Sequence, residues 1–124
     1  MAQISPYLFY EDAEAAADFL IRAFGFEEVE RATGGAGRLH VTLGLGDATL
    51  MLGQGHAEYQ GPNAANHSTA MVHVYLDGGL EEHRERARAA GAEIATELAE
   101  QPNGDRRYDA VDPEGHFWSF AVRR

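Results

Sequence analysis

The chain contains no cysteine and no lysine among its 124 residues. Without cysteine, disulfides, thiolate chemistry and cysteine metal sites are all excluded. All ten basic residues are arginine, so no lysine can form a Schiff base or grip a phosphate. No apolar run approaches the roughly 20 residues that a membrane helix needs. Nor does the sequence open on a basic segment followed by an apolar one, so no signal peptide is expected and cytoplasmic residence is. Positive charge is scarce overall. The formal net charge is −10, which argues against nucleic acid or an anionic membrane as the partner.

What is present suits one ordinary domain. Hydrophobic residues make up 44% and charged residues 24%, enough for a core and a solvated surface. The clearest stretch is Gly104 to Val122. It reads as strand, turn, strand, with Asp112-Pro113-Glu114-Gly115 as the turn. Pro113 presets the first central φ, and Gly115 tolerates the positive φ that closes such a turn. A second hairpin joins Arg38–Leu45 to Ala48–Leu52 about Gly46-Asp47. This register pairs Leu43 with Leu50 and Thr42 with Met51.

Two helices are expected. Asp12 is placed to cap the first, in which Ala13, Ala16, Ala17, Leu20 and Phe24 form a stripe at helical spacing before Gly25. The second follows Asp77-Gly78, running from Leu80 to about Ala90 before Gly91. Further strands are read over Ile4–Tyr10, Phe26–Ala32, Ala70–Leu76 and Ala92–Leu98. The halves then repeat one another. Tyr10-Glu11-Asp12 answers Tyr75-Leu76-Asp77 at an offset of 65, and Gly25 answers Gly91 at 66. The reading is an α+β fold of two βαβββ modules in a cupped mixed β-sheet with helices on the outer face. Module one spans 1–53, a linker 54–69, and module two 70–124.

Alternation along strands assigns faces. Ile4, Leu8, Val41, Leu43, Leu50, Leu52, Val72, Val74, Leu76, Trp118, Phe120 and Val122 are expected to meet the helices. The opposite face then carries Ser5, Tyr7, Phe9, His40, Thr42, Met51, Met71, His73, Tyr75, Phe117 and Ser119. Arg106 and Tyr108 join it if Val111 is core. Aromatic walls with a few directional polar groups suit a small-molecule pocket. The same face would also serve a subunit contact. His40 and His73 are candidates for acid–base chemistry, for ligand contacts, or for hydrogen bonds within the sheet. Arg106 is placed to clamp an anionic group or to pair with a surface carboxylate. His116 is read as a turn residue bonded to backbone, and His56, His67 and His83 as exposed.

The ordered set Pro6-Tyr7-Leu8, Ala23-Phe24-Gly25-Phe26, His40-Val41-Thr42-Leu43, Ala90-Gly91-Ala92, Gly104-Asp105-Arg106-Arg107-Tyr108 and Asp112 to Phe120 resembles the vicinal oxygen chelate superfamily. This is the glyoxalase, bleomycin-resistance and dioxygenase group. The resemblance implies paired βαβββ modules and a homodimer. Metal-dependent members carry His, Gln or Glu ligands at four equivalent strand positions. Here these fall at Ser5, Met51, Met71 and Ser119; a register two residues on brings in His73. The resemblance therefore implies no metal cofactor and a drug-binding protein of the bleomycin-resistance type, which sequesters a small organic molecule. The alternatives are a lyase, isomerase or dioxygenase with atypical metal ligands or His40/His73 chemistry, and a relative with no ligand of its own.

Overall fold

The computed structural model describes residues 2–124. Module one comprises β1 (Tyr7–Tyr10), α1 (Ala13–Phe24), β2 (Glu27–Thr33), β3 (Leu39–Leu45) and β4 (Ala48–Gln54). The connection holds one short helix, α2 (Pro62–Ala65). Module two comprises β5 (Met71–Tyr75), α3 (Leu80–Ala89), β6 (Glu93–Glu100), β7 (Arg106–Val111) and β8 (Phe117–Val122). The strands form two four-stranded sheets, ordered β1-β4-β3-β2 and β5-β8-β7-β6. In each, the first strand runs parallel to its neighbour and the other pairs are antiparallel. The hairpin register is the expected one, with Leu43 opposite Leu50 and Thr42 opposite Met51.

α1 begins where the sequence places it. The Asp12 side chain accepts from Ala15 N, and Gly25 ends the helix at φ 83°. α3 differs. Its N-cap is Gly79 in a left-handed conformation, and no side chain caps it, so Asp77 does not cap α3 as Asp12 caps α1. Ile4 is a second correction: it lies outside the ladder and is 96% exposed. Pro6 offers no N–H, and the parallel pairing of β1 starts only at Tyr7 opposite Met51. The repeat also shifts. Phe9 and Tyr75 both lie on uncovered faces, which sets the β1-to-β5 offset at 66 residues, in step with Gly25 and Gly91.

The helices pack on each other, each over its own sheet. One core runs through both modules. Phe24 from α1 sits 5.3 Å from the Trp118 ring and 4.7 Å from Phe120, both fully buried on β8. The turn at Asp112 locks this join. Its buried carboxylate accepts from Tyr10 Oη at 2.6 Å and from Trp118 Nε1 at 3.1 Å. It also accepts from the backbone N–H groups of Glu114 and His116. A buried carboxylate with four donors meets the requirement that buried charge be hydrogen-bonded. With the helices packed on one face of each sheet, the other face is left uncovered.

Candidate functional site

The uncovered face of module one is built on β1, β3 and β4. Tyr7 and Phe9 project from β1 with ring centroids 5.2 Å apart, and are 45% and 49% exposed. Gly53 makes room for them. A Cβ there would stand 2.8 Å from Tyr7 Cε1 and 3.2 Å from Phe9 Cε1. The phenol of Tyr7 lies 3.0 Å from His40 Nδ1, and His40 Nε2 lies 3.3 Å from Thr42 Oγ1. Met51 stands opposite both Tyr7 and Thr42. Tyr59, from the connection, donates to the Phe9 carbonyl at 2.8 Å. It helps to line a cleft of about 310 Å³ with Tyr7, Phe9, Pro62 and His116. His116 itself bonds the Phe9 carbonyl, the expected backbone role.

The uncovered face of module two carries Met71, His73 and Tyr75 from β5, then Phe117 and Ser119 from β8. His73 Nδ1 lies 2.9 Å from the buried Ser119 hydroxyl, and its ring meets Tyr75 edge-on at 4.8 Å. Burial, then the nearby Arg107 guanidinium, lowers the His73 pKa. This imidazole is accordingly neutral at pH 7. Tyr75 donates to Asp105 Oδ2 at 3.2 Å, and Arg123 lies over its ring at 3.7 Å.

Arg106 and Tyr108 are not on this face. Val111 pairs with Phe117 and so points to the uncovered side, which turns Arg106 and Tyr108 to the helices. Tyr108 is fully buried and its Oη lies 2.6 Å from His83 Nδ1. Arg106 pairs with Glu81 of α3 at 2.6 Å. In their place stand Arg107 and Asp109, joined at 2.9 Å. The signal for them lay in the strand: Tyr108 and Ala110 alternate with charged Arg107 and Asp109. His83 is likewise internal, its Nε2 donating to the Phe24 carbonyl at 2.9 Å.

His40 and His73 are not brought together. Each bonds within its own sheet, and no cleft described for the molecule is lined by both. The four equivalent strand positions also resolve differently from the expectation. Tyr7 stands opposite Met51, and His73 opposite Ser119. Ser5 lies below this level, its hydroxyl bonded to Thr49. Met71 faces Phe117 instead. The donors are therefore one phenol, one thioether, one imidazole and one hydroxyl. Such a set does not fit Zn²⁺, Ni²⁺ or Fe²⁺, which take several imidazole, thiolate or carboxylate ligands. Among the described residues, no three His, Cys, Asp or Glu side chains converge.

Residues 2–120 match the model of the Glyoxalase/Bleomycin resistance protein/Dioxygenase superfamily. Among solved structures, the chain is similar to TioX from Micromonospora sp. ML1. The two share 32% identity at a TM-score of 0.77, over 99% of this chain and 97% of that one. The fold is shared with FosX, a genomically encoded fosfomycin resistance protein from Listeria monocytogenes. Here identity is 14% and the TM-score 0.74, over 100% of this chain and 94% of that one. An uncharacterized protein of Mycobacterium bovis is 33% identical over 123 residues, covering 94% of this chain and 80% of its own length.

Proposed function

Because the chain belongs to the glyoxalase/bleomycin resistance protein/dioxygenase superfamily, we propose that it binds a small organic molecule without a metal, by stacking and hydrogen bonding, and holds it unchanged. The observation that carries this reading is the pair of uncovered aromatic faces. Tyr7, Phe9, Met71, Tyr75 and Phe117 are large, apolar and exposed, in a protein whose other aromatic side chains are mostly buried. Exposed apolar surface concentrated in this way marks a binding or assembly surface. The polar groups set among the rings (His40, Thr42, His73) supply direction. Each face alone is open. Two copies of the chain that set one face against another would enclose a ligand, so the working form is a homodimer.

A second reading rests on His73. Its Nδ1 is engaged by Ser119, its Nε2 is uncommitted, and its lowered pKa keeps it neutral at pH 7. These are the properties of a general base. In that reading His73 takes a proton from a bound molecule and the protein is an enzyme.

The test is equilibrium binding of a panel of planar aromatic compounds, followed by thermal shift and by NMR of the aromatic side chains. Binding is expected to shift the Tyr7 and Phe9 resonances. Tyr7→Ala is expected to weaken it by about 1–3 kcal/mol, the worth of one stacked ring with its hydrogen bond. Compounds that bind yet leave the Tyr7, Phe9, Tyr75 and Phe117 resonances all unmoved would contradict the proposal. Turnover of a bound compound that is lost in His73→Ala would favour the second reading.

A further inference from the structure

Arg107 sits on β7, two strands from His73 on β5, with β8 between them. Its side chain crosses that gap. Nε donates to Asp109 Oδ1 at 2.9 Å, and Nη2 reaches the Met71 sulfur at 3.8 Å, back on β5. The guanidinium therefore lies over Ser119 and beside His73. Arg107 and His73 line a cleft of about 340 Å³ together with Tyr75, Ala121, Asn103 and Asp105.

Most polar groups around this cleft are already engaged. Asp105 accepts from Tyr75 Oη, from Asn103 Nδ2 and from the Arg124 backbone. Asn103 Oδ1 accepts from the Asp105 backbone, and Gln101 Nε2 donates to Ala99. Two groups are not. Among the described residues, Arg107 Nη1 and His73 Nε2 have no partner, and Nε2 is a donor in the neutral tautomer whose Nδ1 accepts from the Ser119 hydroxyl. A further cation, Arg123, lies on the Tyr75 ring and takes part in no ion pair among the described residues.

We propose that this cleft receives the carboxylate of an aromatic acid, one oxygen on Arg107 Nη1 and the other toward His73 Nε2, with the ring against Tyr75. The inference rests on the small-molecule reading above and names the class of ligand. The charged Nη1–H donates strongly to one carboxylate oxygen, and a second donor from the imidazole fixes the orientation. The Tyr75 ring, Pro102 and Ala121 supply the apolar part of the lining; Gln101, Asn103 and Asp105 supply the polar part.

The experiment compares 2-naphthoate with 2-naphthamide, its neutral isostere, by calorimetric titration of the full chain. Naphthoate is expected to bind about tenfold more tightly, as a charge-assisted hydrogen bond provides. Arg107→Gln is expected to reduce that preference to about twofold or less, with a larger loss of affinity for naphthoate than for naphthamide. Arg107→Lys, which keeps charge but not the fork, recovers part of it. Equal affinity for the two compounds in the wild-type protein overturns the carboxylate site, and needs no variant to fold. A preference that survives Arg107→Gln overturns it too. In both cases naphthamide binding leaves the aromatic pocket standing. Failure of both compounds to bind removes the site and the pocket reading together.

Discussion

Burial, with a smaller contribution from the neighbouring Arg86 guanidinium, drives the pKa of His83 below the ordinary imidazole value, against the pull of its bond to Phe24. The ring donates from Nε2 to the Phe24 carbonyl, so Nδ1 accepts from Tyr108. The neutral tautomer is built into the join between α3 and the end of α1. Protonation would place a second donor where an acceptor is needed. The unfolded chain takes up that proton at about pH 6.5, and the folded chain only below it. Stability from neutral His83 is therefore complete above about pH 6.5 and is lost as pH falls toward the folded value. Melting temperature should drop from pH 7.5 to 5.5 more steeply in the wild-type protein than in His83→Gln. Parallel pH profiles would contradict this assignment. His73 titrates in the same direction but is present in both proteins, so the difference isolates His83.

α1 is held at both ends by the other module. The Glu114 carboxylate, from the Asp112 turn, accepts from Glu11 N at 2.7 Å and Asp12 N at 2.9 Å. Arg86, from α3, donates to the Arg22 carbonyl at 2.8 Å and the Ile21 carbonyl at 3.1 Å. An anion at the N-terminus and a cation at the C-terminus both complement the helix dipole. Glu114→Gln and Arg86→Gln should each cost about 1 kcal/mol in urea unfolding. The ends of this 12-residue helix are about 18 Å apart, so the two losses should add. A double variant no less stable than either single one would refute the capping account.

The elements themselves were legible. Asp12, the apolar stripe and Gly25 define α1 because local chemistry sets its ends. The hairpin about Gly46-Asp47 and the Asp112 turn were equally plain, since turn residues fix register. What the sequence did not reveal is cross-module. Tyr10 and Asp112 are separated by 102 positions, and nothing local marks their bond. In β7, taking Val111 as core sets the wrong parity; it pairs with Phe117 on the uncovered side, and a one-residue slip moves every side chain to the other face. That slip put Arg106 where Arg107 stands. Most of the remaining candidate-site residues lay on strands whose alternation was clear, so their faces were read correctly.

At the scale of the molecule, one core joins two modules and leaves two aromatic faces uncovered. The described residues hold no helix long and apolar enough to cross a membrane. The uncovered faces are complementary in content: one has Tyr7, Phe9 and His40, the other His73, Tyr75 and Arg107. Pairing of two copies would hide both. Sedimentation equilibrium at micromolar concentration should return twice the chain mass of 13.5 kDa. A monomer with both faces in water would contradict the dimer and leave each face to bind alone.

The central claim is binding without a metal, and it can be tested in one titration. Protein stripped of metal, checked by elemental analysis, is titrated with a planar aromatic ligand before and after adding Zn²⁺, Ni²⁺, Mn²⁺ or Fe²⁺. The phenol, thioether, imidazole and hydroxyl at Tyr7, Met51, His73 and Ser119 predict the same affinity in every case. Binding that requires about one equivalent of metal per chain, and that disappears in His73→Ala, would contradict the account and restore a metal-dependent enzyme.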